Sequence, residues 1–265
     1  MATIVLLFGC LACFLPAGKF NLYKDGQTDK DKHLPKRTLL TILIVLIAVP
    51  VTMFVGMTYL EDNMHYLVSL LIIAETILPF CISFESKKPQ ARELVVISEL
   101  CAIAVVSRTA FYYLPQFKPV IAVVIIAGVC LGAESGFLVG VVSGFVSNFF
   151  FGQGPWTPWQ MFAFGAIGFV SGVLARKGLI KKRRLSLCIF GALSTFVIFG
   201  GITNYGSLLM WQPNPTKEMI IYTYIMGAPF DGVHALSTAF FLWFAGEPVI
   251  EKIERVKNKY GLIRR

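Results

Sequence analysis

The sequence predicts an all-α polytopic membrane protein, on three observations. Hydrophobic residues make up 56% of the 265, and the mean hydropathy is +0.70, where soluble domains are about half apolar at most. Several stretches of about 20 residues carry few or no charges, the length a helix needs to cross a bilayer. The basic residues behind the net charge of +9 lie almost entirely in the connections between those stretches and in the carboxy-terminal tail, which excludes nucleic acid as the partner and points to membrane orientation instead.

Nine hydrophobic spans can be read, at about 2–18, 39–60, 66–84, 94–113, 119–132, 136–150, 159–175, 185–210 and 219–245. The run 119–150 is too long for one helix, and Gly132-Ala133-Glu134-Ser135-Gly136 divides it into a hairpin with a short first arm. The connections 19–37, 85–93 and 176–184 and the tail 247–265 hold 6, 3, 6 and 6 Lys or Arg, 21 of the chain's 24. The intervening connections hold only Lys118 and Lys217, and Arg108 falls inside a span. Since basic loops mark the cytoplasmic side, the amino terminus is expected outside and the carboxy terminus inside. The apolar first 18 residues lack a charged start and a small-residue cleavage site, so they read as a span rather than a signal peptide.

Three regions follow: an accessory membrane region over 1–91, a functional core over 92–246 that contains all four Trp, and a tail over 247–265. Val249, Ile250, Ile253 and Val256 recur at helical spacing among charges, so the tail is expected as an amphipathic cytoplasmic helix lying on the membrane or against a partner. Gly128, Gly132, Gly136, Gly140 and Gly144 recur every four residues, and Gly168 and Gly172 repeat the spacing, which lets membrane helices approach closely. The Cys10–Cys13 pair lies in an apolar run without a nearby His or carboxylate and reads as small packing residues.

Charged residues within spans are costly and face a bundle interior, a cavity or a partner. Arg108 and Asp231 are the two of most interest, with His234 one turn after Asp231 on the same helical face. The favoured reading is an Arg108–Asp231 ion pair between helices. The alternatives are contact of Arg108 or His234 with a polar or anionic ligand group, or a proton relay through Asp231 and His234. No phosphate loop, HExxH or GxSxG motif is present, and no cofactor or metal site is expected.

Three outer loops share one composition. The first carries Tyr112, Tyr113, Pro115 and Gln116. The second, GQGPWTPWQ at 152–160, follows Asn148 and carries Gln153, Trp156, Trp159 and Gln160. The third follows Asn204 and Tyr205 and carries Trp211, Gln212, Pro213, Asn214 and Pro215. Aromatic rings alone would serve as interfacial anchors. The amides and doubled prolines instead suit a preorganised pocket for an uncharged or modestly polar ring-containing solute.

The runs SRTAFYYLPQFKP at 107–119, AGVCLGAESGFLVGVVSGFVSNFFFGQGPWTPWQM at 127–161, GFVSGVLARKG at 168–178 and GAPFDGVHALSTAFFL at 227–242 resemble the substrate-binding S components of energy-coupling factor (ECF) transporters. The resemblance covers about three-fifths of the chain, from about Glu93 to Phe244. It implies a six-helix S-component-like core with both ends cytoplasmic, to which this chain adds about three amino-terminal spans of a role the sequence leaves open. It implies ATP-driven uptake of a vitamin or related micronutrient, captured from outside and released inside by toppling in the membrane with a transmembrane T component and two ATPase subunits. Small residues on the first core helix would meet the T component; here Ser98 and Ala102 fit, Val106 interrupts the pattern and Ala110 resumes it. Cobalamin or a corrinoid precursor is the first expectation for the solute, with riboflavin, another flat ring system or a queuosine-type base as alternatives. Two other classes compete: a membrane enzyme using His234, Asp231 and Arg108, and a structural assembly protein.

Overall fold

A computed structural model describes residues 47–59, 67–68, 71–72, 74–75, 91–212 and 215–260. The expected span 2–18 and the Cys10–Cys13 pair lie outside these residues, the span 66–84 lies largely outside them, and the span 39–60 is described from 47 to 59. The described elements are α1 (Val49–Tyr59), α2 (Ala91–Ala110), α3 (Val120–Leu131), α4 (Ala133–Phe151), α5 (Thr157–Arg176), α6 (Arg184–Ser194), α7 (Gly200–Trp211), α8 (Lys217–Phe241) and α9 (Glu247–Tyr260). A π-helical turn at Thr195–Phe199 joins α6 to α7 in one rod of 28 residues, and another at Leu242–Gly246 joins α8 to α9. All described regular structure is helical, and four rods are long and apolar enough to cross a membrane: α4, α5, α6–α7 and α8–α9. The chain is an all-α, multi-pass membrane protein.

From α2 onward six rods follow one another, matching the six expected core spans. The α3–α4 hairpin turns at one residue, Gly132, whose φ of 101° is accessible to glycine without penalty. The turn is tighter than the five-residue interruption anticipated, and Gly136 lies inside α4. The short first arm is real. With 12 residues, α3 rises only about 18 Å, against a hydrocarbon core about 30 Å thick. It is nonetheless buried almost end to end, from Val120 to Cys130, and forms the axis around which α2, α4, α5, α8 and α9 pack.

Close packing explains the glycine spacing. An added Cβ at Gly136 would lie 2.5 Å from the Gly168 carbonyl oxygen, and one at Gly140 would lie 2.5 Å from the Phe164 backbone. Glycines on α4 and α5 thus bring the two backbones into contact. Around this seam lie Val124, Ile125, Phe137, Val141, Met161, Phe164 and Ile167, all buried.

The tail forms the expected amphipathic helix, and part of its apolar face packs inward: Ile250 and Ile253 are buried in the chain's own core, while Val256 stays exposed. Lys257 Nζ donates to the Cys130 carbonyl at 2.6 Å, on the last turn of α3. Lys182–Glu254 and Arg184–Glu247, each 2.7 Å, tie α9 to the 176–184 connection.

Candidate functional site

The alternation of helices brings the connections 111–119 and 152–156 and the end of α7 at Trp211 to one end of the bundle, where the sequence puts amides and aromatic rings. The carboxy-terminal turn of α2, the last two turns of α4 and the first turn of α5 meet there. Arg108 is 6% exposed. Its Nη1 donates to Asn148 Oδ1 at 2.8 Å and to Ser147 Oγ, and its Nη2 lies 3.4 Å from Gln160 Oε1. Asn148 Nδ2 in turn donates to Gln160 Oε1 at 2.9 Å and to Thr157 Oγ1 at 3.2 Å. Thr157 Oγ1 donates to Gln153 Oε1 at 2.9 Å and accepts from the Gly154 amide at 3.2 Å. The guanidinium also faces the Phe151 ring, 4.5 Å from its centroid, and lies 5.7 Å from that of Phe164. A buried charge needs such partners, because each unpaired donor in low dielectric is costly.

This network corrects the expected ion pair. Arg108 does not bond Asp231. Asp231 Oδ2 accepts from Asn204 Nδ2 at 2.6 Å, and glycines at 200 and 227 make room for that pair between α7 and α8. The neutral amides of Asn148 and Gln160 take the place assigned to the carboxylate. Arg108, Asp231 and His234 are not joined to one another by any hydrogen bond.

The remaining predicted residues divide by position. Tyr112 packs on Phe151, ring centroids 4.9 Å apart, and rims the cluster. Gln153 ties its loop back to α4, donating to the Phe145 carbonyl at 2.9 Å. Trp156 lies over Gly154 and is 42% exposed. Trp159 packs edge-on against Tyr205 at 6.5 Å and closely over Gly206. Gln116 is exposed in a left-handed conformation, φ 55°, rare for a residue with a Cβ. Trp211 is 86% exposed at the end of α7, and Asn214 lies outside the described residues. Ser98 and Ala102 are exposed on one face of α2, together with Val106 and Ala110.

His234 is buried deeper, in α8, and neither ring nitrogen has a hydrogen-bond partner. It meets Phe199 edge-on at 4.8 Å, and Phe199 stacks on Phe164 at 5.0 Å. The π-helical turn at Thr195–Phe199 supplies that phenylalanine. Aromatic rings thus connect His234 to the ring beneath Arg108.

Sequence reasoning missed Ser147, Thr157 and Lys118. Ser147 and Thr157 were legible as neighbours of the amides that were chosen. In the sequence Lys118 figures only in the charge count, yet its Nζ lies 5.1 Å from the centroid of the same Phe151 ring. Partial burial, and then the nearby Arg108 charge, hold its ammonium below the ordinary lysine pKa.

Comparison with known proteins decides the family. The profile of the ECF-type riboflavin transporter S component matches residues 88–239. The chain belongs to this family. A UPF0397 protein of Aliivibrio salmonicida is 28% identical over 150 residues, covering 55% of this chain and 77% of that protein. A UPF0397 protein of Vibrio atlanticus is 28% identical over 124 residues, 44% of this chain and 68% of its own. One of Aliivibrio fischeri is 27% identical over 137 residues, covering 50% and 72%. No solved structure matches. As an S component the chain is a substrate-specific membrane subunit of an ECF transporter, the class that works with T and ATPase subunits on a small-molecule substrate. The matched segment contains α2 to α8 up to Ala239, and so the whole Arg108 cluster.

Proposed function

We propose that this S component captures a ring-containing, vitamin-like solute from the outer face, at the end formed by the 111–119, 152–156 and 212–216 connections. The carrying observation is the Arg108–Asn148–Gln160 cluster. Buried hydrogen-bonding groups set among Tyr112, Phe151, Phe164 and the Trp-bearing loop are the mix of apolar wall and few fixed polar groups that small-molecule sites use. The opposite end carries the basic connection and α9, which the positive-inside rule assigns to the cytoplasm. The T component would then meet the exposed small-residue face of α2 at Ser98 and Ala102.

The family's name makes riboflavin the first solute to test. The corrinoid that the family resemblance put first stands second. Native mass spectrometry of the full-length chain purified in detergent should reveal a retained solute, and calorimetry should give sub-micromolar binding to one member of a vitamin panel without ATP. Absence of binding to every member at micromolar concentration overturns the reading. Trp156→Ala should weaken binding by about 1–3 kcal/mol, the worth of a buried aromatic contact, without lowering the melting temperature. Trp159→Ala should lower the melting temperature, since that ring packs over Gly206.

A further inference from the structure

Arg108, buried, and Lys118, half-buried in the adjoining loop, are cations that both lie near the Phe151 ring, and neither has a carboxylate partner. The ion pairs Lys182–Glu254, Arg184–Glu247 and Lys257–Glu254 all lie at the other end of the bundle. Asp231 is held by Asn204. Lys118 Nζ reaches only the Leu114 carbonyl, at 2.9 Å. The groups that do hold Arg108 are neutral hydroxyl and amide oxygens.

The helix α3 poses the same question independently. It begins at buried Pro119 and Val120, and no side chain caps its amino terminus. A helix amino terminus carries roughly half a positive charge and favours an anion; the carboxy terminus favours a cation. At the carboxy terminus the cation is present, as Lys257 on the Cys130 carbonyl. At the amino terminus no anion is present among the described residues. Broken or short membrane helices that end at mid-depth serve anionic substrate groups elsewhere.

The third observation is His234. It is 4% exposed with both ring nitrogens unpartnered, and an imidazole without any partner in an apolar interior is rare. One turn further on the same face of α8, Ser237 Oγ donates to the Lys118 carbonyl at 3.1 Å, so α8 touches the start of α3 at this level.

We propose that Arg108, Lys118, the uncapped amino terminus of α3 and His234 form an anion subsite that receives a carboxylate or phosphate group of the transported solute. This rests on the transport reading above and narrows it: the cargo is an acid, with its ring system toward the aromatic loops and its anionic group toward α3. Guanidinium and ammonium groups bind such anions through charge-assisted hydrogen bonds, and a neutral ring form of the same solute leaves both cations uncompensated.

The test uses the full-length chain in detergent with riboflavin and riboflavin 5′-phosphate, which differ only by the anionic group. If the co-purifying solute is a different acid, it is compared with its own amide. The anionic form should bind at least about tenfold more tightly, a charge-assisted contact's ordinary worth. Arg108→Gln, which keeps an amide donor, should bring that ratio near one, whatever it does to the affinity for the neutral form. Lys118→Gln, in the loop, should reduce the ratio and serves if Arg108→Gln fails to fold. Inorganic phosphate at matched ionic strength should raise the wild-type melting temperature above its value in chloride. Equal or tighter binding of the neutral form, or a preference that survives both substitutions, overturns the proposal while leaving the transport reading intact. A phosphate effect without discrimination between the organic pair marks an inorganic-ion site and also overturns it. Failure of every solute to bind overturns the transport reading and this one with it.

Discussion

At the residue scale, Asn148 is the hinge of the site: its carbonyl accepts from Arg108 and its amide donates to Thr157 and Gln160. Asn148→Leu strands donors and acceptors on three side chains, each buried group costing about 1–3 kcal/mol when left unpaired, so thermal unfolding in detergent should shift down by several degrees. Asn148→Asp has a different signature. It supplies Arg108 with the carboxylate the bundle lacks, so it should melt above Asn148→Leu and abolish any stabilisation by phosphate. Lys118 gives the pH dependence. Burial and Arg108 disfavour its charged form in the fold, so its cost is full at neutral pH and fades as the pH rises through the lowered pKa. Lys118→Met should therefore melt above wild type at pH 7, and the gap should close toward pH 11; a constant gap would show that the charge is not the cause. The site itself was half legible in the sequence. Arg108, Asn148 and Gln160 stood out because polar residues inside apolar spans are costly unless used. Their mutual partnership did not, because which amide meets which cation depends on the rotation of three helices, and that information is not local.

Elements were more legible than their partners. Six core rods and the short arm of the hairpin follow from charge spacing and apolar length, which are one-dimensional quantities. The continuity of α8 into α9 was hidden because Leu242–Gly246 reads as a membrane exit, whereas a π-helical turn carries the helix through it. The docking of α9 was hidden for a related reason: amphipathic periodicity reports that Ile250 and Ile253 need cover, not what covers them. The glycine ladder gives a sharp test at this scale. A Cβ at Gly168 would lie 2.5 Å from the Gly136 carbonyl carbon, with backbone unable to yield. Gly168→Ala should thus force α4 and α5 apart and cost about 1–3 kcal/mol, as overpacking does. Gly201 in α7 has nothing within 4 Å of its hypothetical Cβ. Gly201→Ala should instead gain up to about 1 kcal/mol from helix propensity. Equal melting temperatures for the two variants would refute the close-contact account.

On the scale of the whole molecule, the two ends of the bundle differ in kind. One end gathers the aromatic and amide loops around Arg108. The other gathers the Arg176–Arg184 connection and α9, locked together by Lys182–Glu254 and Arg184–Glu247. Those two exposed pairs are worth little individually, typically under about 1 kcal/mol; the buried Ile250 and Ile253 hold the tail in place. Orientation therefore rests on the number of basic residues at the second end, 12 between the 176–184 connection and the 247–265 tail, against Lys118 and Lys217 at the first. Translocating such a cluster is disfavoured, so the second end should face the cytoplasm. Gln212 and Lys181 are exposed at opposite ends and make the reporters. With the six native cysteines replaced, Gln212→Cys should react with a membrane-impermeant maleimide in intact cells, and Lys181→Cys only after permeabilisation. The reverse pattern would put the Arg108 cluster on the cytoplasmic face, where a subunit for uptake has no solute to capture, and the proposed direction of transport would fall with it.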